Sequence, residues 1–206
     1  VTADDRAVVS RFARVCVYAG SAPGANSEYA DASRAIVTEL ARRGSNVVYG
    51  GGSLGLMGVL ADAALEGGGE VTGVIPRFLD DREVGHNGVT DLRVVETMHE
   101  RKMLMADLSD AFLVLPGGIG TLEEVIEMLS WSQLGLHRKP IGLFDVDGFW
   151  EPLVSLLDHM TTEQFVGLDH RKLLLSSSDP IGLLDAMEAW EAPKLVRRWL
   201  TDEEQT

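Results

Sequence analysis

Residues 111–134 read AFLVLPGGIGTLEEVIEMLSWSQL: a short apolar run, a cluster of glycines, then a helical pattern. The run 111–115 is too short for a helix and carries no polar side chain, as expected of a strand covered on both faces. Gly117, Gly118 and Gly120 interrupt it, and from Thr121 to Leu134 apolar residues return at helical spacing. A strand that ends in glycine and opens into a helix is half of a crossover unit in a parallel sheet. The same order recurs on either side. Strands are expected at 15–19, 46–49, 70–75, 91–95 and 140–144, and helices at 28–43, 54–66, 99–108, 121–134 and 149–162, with a further one near 181–190. The fold class is therefore α/β, a doubly wound, Rossmann-like parallel sheet with helices on both faces. One domain is expected over 1–206, with 1–13 and 192–206 peripheral and 76–90 a surface loop rich in charge and glycine.

Composition narrows the function. Thirty-two Asp and Glu against 18 Lys and Arg give a formal net charge of −14, which repels nucleic acid and anionic membrane at long range. A small phosphorylated ligand is still allowed, because a local nest of backbone N–H groups outweighs the global field at short range. The single Cys16 lies in an apolar run, so neither an intrachain disulfide nor a multi-cysteine zinc site can form. His86, His99, His137, His159 and His170 show no HExxH spacing, and no metal is expected. No apolar stretch approaches the roughly 18 residues of a membrane span, and residues 1–14 lack a signal-peptide core, so a cytoplasmic protein is expected.

In an open parallel sheet, ligands bind beyond the carboxyl ends of the strands. Three strands here end in glycine: Gly20-Ser21-Ala22-Pro23-Gly24, then Gly50-Gly51-Gly52-Ser53-Leu54-Gly55, then Pro116-Gly117-Gly118-Ile119-Gly120-Thr121. All three should gather at one edge. Gly50, Gly52 and Gly55 satisfy the dinucleotide fingerprint, but it follows the second strand, and the next strand ends Ile75-Pro76-Arg77 without the acid that would hold a ribose. Gly51, Ser53 and Gly55 satisfy the nucleophile elbow of serine hydrolases, with His137, His159 and His170 downstream; that reading leaves the loop at Pro116 unexplained. The loop itself reads as a phosphate cradle, with flexible glycines at a helix N-terminus. It is not a Walker loop, since no Lys precedes Thr121. Thr121 and Glu124 also fit a capping box that needs no ligand. Arg101 and Lys102 in Met98-His99-Glu100-Arg101-Lys102 are the natural cations for a phosphate; a solvated helix face is the alternative. The helix at 121–134 is apolar on more than one stripe, which points to a homodimer with this helix at or near the interface.

Three segments together, Gly50 to Gly58, Met98 to Lys102 and Pro116 to Glu124, resemble the Lonely Guy family of cytokinin riboside 5'-monophosphate phosphoribohydrolases, whose members are often mislabelled lysine decarboxylases. The resemblance runs from about Val15 through Gly148 and more weakly to Met187. Ala22 stands where the family usually has a second Ser, Asp81 where it has Pro, and Ser130 where many members have Thr. The resemblance implies cleavage of an N6-modified adenosine 5'-monophosphate, with AMP a further candidate, to free base and ribose 5-phosphate, without a cofactor. It implies Arg101 and Glu124 as the catalytic pair. As substrate contacts it implies Glu83, Lys102, Gly118, Ile119, Gly120, Thr121, Leu122, Glu123 and Ser130, and the three glycine loops add Ser21, Gly52 and Gly117 as candidates. Relatives of the family carry pterin cofactors without hydrolysis, and a non-hydrolytic carrier is the rival expectation. A lysine decarboxylase would need a Schiff-base lysine; Lys102 lies beside Arg101 in the expected phosphate region, and Lys139, Lys172 and Lys194 lie outside the glycine loops.

Overall fold

The computed structural model describes residues 10–80 and 85–193. Seven strands form one sheet: β1 (Arg14–Tyr18), β2 (Asn46–Tyr49), β3 (Val71–Pro76), β4 (Asp91–Val95), β5 (Ala111–Val114), β6 (Ile141–Phe144) and β7 (Leu174–Ser177). All neighbours are parallel, in the order β4-β3-β2-β1-β5-β6-β7. β1 is central, with Val17 opposite Tyr49 on one side and Leu113 on the other.

Side-chain alternation along β1 sorts the helices into two layers. Val15 and Val17 face α1 (Glu28–Arg42), α2 (Gly55–Glu66) and α8 (Pro180–Ala189), meeting Ile36, Leu40, Leu60 and Leu184 in one core. Cys16 and Tyr18 face the opposite layer, built by α4 (Met98–Asp107), α5 (Ile119–Gln133) and α6 (Glu151–Thr162), meeting Met105, Val125, Met128 and Leu157. The chain reverses direction across the sheet between β1 and β5, so the loops leaving these two strands part and open a crevice between them.

Four departures from the sequence reading have physical causes. β7 was not expected; it is a four-residue edge strand reading LLSS, too short and too polar to stand out. Two single-turn helices, α3 (Arg77–Asp80) and α7 (Leu168–Arg171), lie in segments read as irregular, α3 within the supposed loop 76–90. α5 begins at Ile119, because Gly118 is extended at φ −94°, ψ −156° and serves as the N-cap. Thr121 is therefore the third helical residue and buried, and the expected capping box with Glu124 does not form. The box occurs instead at α4, where Thr97 accepts from Glu100 N and the Glu100 carboxylate accepts from Thr97 N.

Candidate functional site

The three glycine loops meet at the carboxyl edge of the sheet. Gly20 N donates to Pro116 O (3.0 Å), Met57 N to Gly20 O (3.3 Å) and His86 N to Gly51 O (2.9 Å), while Gly52 bridges Gly85. Between them lies a cavity of about 450 Å³, within the range of small-molecule sites. Its polar side is formed by Ser21, Arg101, Thr121 and Glu124, and its apolar wall by Leu54, Met57, Ile75 and Leu79.

The start of α5 supplies an anion site. Leu122 N donates to Gly118 O (3.0 Å), the first bond of the helix. The N–H groups of Ile119, Gly120 and Thr121 precede it and have no intrahelical acceptor. Gly118 and Gly120 line the cavity and have open space where a side chain would stand, so a ligand can approach that backbone closely. Gly117 serves differently: a β-carbon there would overlap the Thr121 hydroxyl and crowd Gly20 N, so its absence lets the first and third loops close on each other.

Arg101 crosses from α4 to the ends of two strands. Its Nε donates to Val74 O (3.1 Å) and its Nη2 to Gly50 O (2.9 Å), which holds the buried guanidinium against the cavity. The approach needs Gly50, whose β-carbon would occupy the guanidinium's place. These hydrogen bonds orient the charge without neutralising it, since both acceptors are carbonyls.

Glu124 projects into the same cavity from the second turn of α5 and accepts no hydrogen bond among the described residues. Burial pushes its carboxyl up to about 7; Arg101 and Lys102 oppose the rise, and Glu123 and Glu127 add to it. Lys102 points away from the cavity, its Nζ donating to Glu123 Oε1 (2.5 Å) and Glu127 Oε1 (2.9 Å). A partly desolvated carboxylate beside a fixed cation and a row of backbone donors can bind a phosphorylated ligand and stabilise positive charge developing next to it.

Of the expected site residues, Ser21, Gly52, Arg101, Gly118, Ile119, Gly120, Thr121 and Glu124 surround this cavity. Gly117 lies immediately behind it. Lys102 and Glu123 pair with each other. Leu122 and Ser130 face outward on α5, and Glu83 lies outside the described residues. His137, His159 and His170, the histidines a Ser53 nucleophile would require, do not line it. The apolar wall was missed: Leu54 and Met57 follow β2, Ile75 lies near the end of β3 and Leu79 in α3 just after it, and the only signal was their place near the carboxyl ends of β2 and β3.

A family model described as "Possible lysine decarboxylase" matches residues 57–187. The rice (Oryza sativa subsp. japonica) cytokinin riboside 5'-monophosphate phosphoribohydrolase LOG is 50% identical over 82% of this chain and 69% of its own length. An Arabidopsis thaliana cytokinin riboside 5'-monophosphate phosphoribohydrolase is 44% identical over 88% of this chain and 84% of its own. Among solved structures, the molybdenum cofactor carrier protein of Chlamydomonas reinhardtii superposes with a TM-score of 0.62 at 21% identity, covering 84% of this chain and 94% of that one. The molybdenum cofactor binding protein of Rippkaea orientalis gives 0.61 at 19% identity, covering 85% and 94%. These last two likenesses concern the fold.

Proposed function

The chain belongs to the Lonely Guy family of cytokinin riboside 5'-monophosphate phosphoribohydrolases, and from that membership we propose that it hydrolyses N6-modified adenosine 5'-monophosphates to the free base and ribose 5-phosphate. The observation that carries this reading is the placement of Glu124 and Arg101 in one cavity with the open N-terminus of α5.

The unpaired N–H groups of Ile119, Gly120 and Thr121 receive the 5'-phosphate, with Ser21 and Gly52 on the facing loops. The base lies toward Leu54, Met57, Ile75 and Leu79, an apolar wall suited to a hydrocarbon substituent on N6. Cleavage of the C1'–N9 bond sends its electron pair to the base and leaves positive charge on the ribose ring, as in glycoside hydrolysis. The Glu124 carboxylate stabilises that charge and takes a proton from the water that attacks C1'; the base gains a proton and departs. Arg101 favours the ionised form of Glu124 against its burial and offsets the repulsion between it and the phosphate.

The decarboxylase description does not fit this cavity. A Schiff-base mechanism needs a lysine amine directed at the cofactor. Among the described residues no lysine lines the cavity: Lys102 is held by two carboxylates, Lys139 Nζ donates to Ala106 O, and Lys172 pairs with Asp169 on the surface.

Incubation with N6-isopentenyl-AMP and with AMP, followed by chromatography of the products, tests the reading. Free base is expected from the first at a rate well above that from the second, because only the first fills the apolar wall. Nucleotide that stays intact while bound to the protein would instead favour a carrier.

The second apolar stripe on α5 supports a homodimer. Val125 and Met128 enter the core, whereas Leu122 and Ile126 are exposed and Ile119 is 87% exposed. Leu122 and Ser130, two of the contacts implied by the family, lie on this outward stripe, where a second copy would enclose them beside its own site. Light scattering should give twice the monomer mass of 22.3 kDa, and Ile126→Glu should halve it. Among the described residues no helix is long and apolar enough to cross a membrane.

A further inference from the structure

Arg101 and Lys102 are adjacent in sequence and engage different targets, Arg101 the cavity and Lys102 the side of α5. Glu123 and Glu127 lie one turn apart on α5, with Glu124 between them in sequence. Like charges at that spacing repel, and the three carboxylates lie in the second and third turns of the helix whose N-terminus would receive a phosphate. Lys102, its side chain only 9% exposed, sits between the outer two and holds one oxygen of each, 2.5 Å and 2.9 Å away. We propose that Lys102 is a positioning residue: by bridging Glu123 and Glu127 it clamps α4 to the second and third turns of α5 and so sets both the placement and the charge state of Glu124 opposite Arg101.

The inference rests on the hydrolase reading for its kinetic consequence, but the clamp itself is a geometric claim. It assigns Lys102 to the protein's own carboxylates rather than to the substrate. The charged and titratable groups facing Glu124 are few. Arg101 and Lys102 come from α4, Glu123 and Glu127 from α5 itself, and Tyr18 and Cys16 from β1 below. Arg101 and Lys102 favour the ionised form of Glu124; Glu123 and Glu127 oppose it. Without Lys102, two uncompensated carboxylates flank Glu124 and only Arg101 holds it ionised. Proton affinity at Glu124 must then rise.

The test follows the Glu124 carboxyl directly by ¹³C NMR titration, with the resonance assigned by its loss in Glu124→Gln. This readout does not depend on turnover. Lys102→Met should move the Glu124 titration upward by about half a pH unit or more and lower kcat at neutral pH about tenfold. The same substitution made in a Glu123→Gln, Glu127→Gln background should still raise the titration, because the direct attraction between Lys102 and Glu124 is lost there too, but it should lower kcat by much less than tenfold, because the carboxylates that the clamp joins are gone. Lys102→Arg should restore most of the wild-type midpoint. An unmoved Glu124 midpoint in Lys102→Met, with KM for the nucleotide raised instead, would overturn the clamp and return Lys102 to a substrate contact. If the wild-type protein releases no base while the midpoint still moves as expected, the clamp stands and the hydrolase reading fails.

Discussion

Glu124→Gln should lower kcat by about three orders of magnitude while raising thermal stability at neutral pH. Glutamine keeps the shape of the side chain and removes its charge, so the variant loses both the stabilisation of the ribosyl cation and the base that takes a proton from water. The gain in stability follows from the same burial. In the unfolded chain this carboxyl titrates near 4.5, and in the folded protein at about 7, chiefly because burial disfavours the charged form. The folded state therefore binds more protons than the unfolded state between those values. Stability is favoured below 4.5, falls as pH rises toward 7 and carries the full penalty above it. Glutamine removes a penalty of about 1–3 kcal/mol at pH 8, and nothing at pH 4. Calorimetry at the two pH values should show a higher Tm for the variant only at the upper one. The wild-type kcat/KM should rise with pH through a midpoint near 7, where the catalytic base ionises. A variant with wild-type turnover would remove Glu124 from the reaction. A variant that is inactive and less stable at pH 8 would show that the carboxylate holds the fold together, as a helix-capping residue does.

The capping alternative illustrates what the sequence could and could not disclose. Thr97 to Glu100 and Thr121 to Glu124 carry the same TxxE signature at the start of a helix. In the first, Thr97 is extended and caps α4; in the second, the glycines upstream let the chain enter α5 early and carry Thr121 into the helix. Local pattern does not separate these outcomes, because the decision lies in the backbone before the signature. The strand and glycine order was legible for the opposite reason. Apolar runs of four or five residues ending in glycine have few alternatives in a parallel sheet, and three of them converge by topology alone. Adjacent residues were harder. Arg101 and Lys102 read as one basic pair, yet neighbours on a helix point about 100° apart, and that rotation sends one guanidinium to the cavity and one ammonium to Glu123. The apolar wall needs residues 54, 57, 75 and 79 brought together across β2 and β3, which no local spacing announces.

Arg101→Lys, which preserves the charge, should be nearly as damaging as Arg101→Ala. The guanidinium uses two donors at once, Nε to Val74 O and Nη2 to Gly50 O, and those bonds fix where its positive charge stands beside Glu124. An ammonium is a compact point charge on a flexible stem and cannot span both carbonyls in one plane. Either substitution also leaves a buried carbonyl short of a donor. Activity should fall by about 10²-fold or more in the lysine variant, with a loss of stability near 1–2 kcal/mol from the unsatisfied carbonyl. Gly50→Ala approaches the same contact from the other side. Its methyl group occupies the guanidinium's position, so it should displace Arg101 without touching any charge and reproduce most of the lysine variant's loss. The double variant Gly50→Ala, Arg101→Lys should then be little worse than either single one, because both act through one placement. Additive losses in that cycle would mean that Gly50 and Arg101 act separately, with Arg101 acting by charge alone; near-wild-type turnover in Arg101→Lys would lead to the same conclusion.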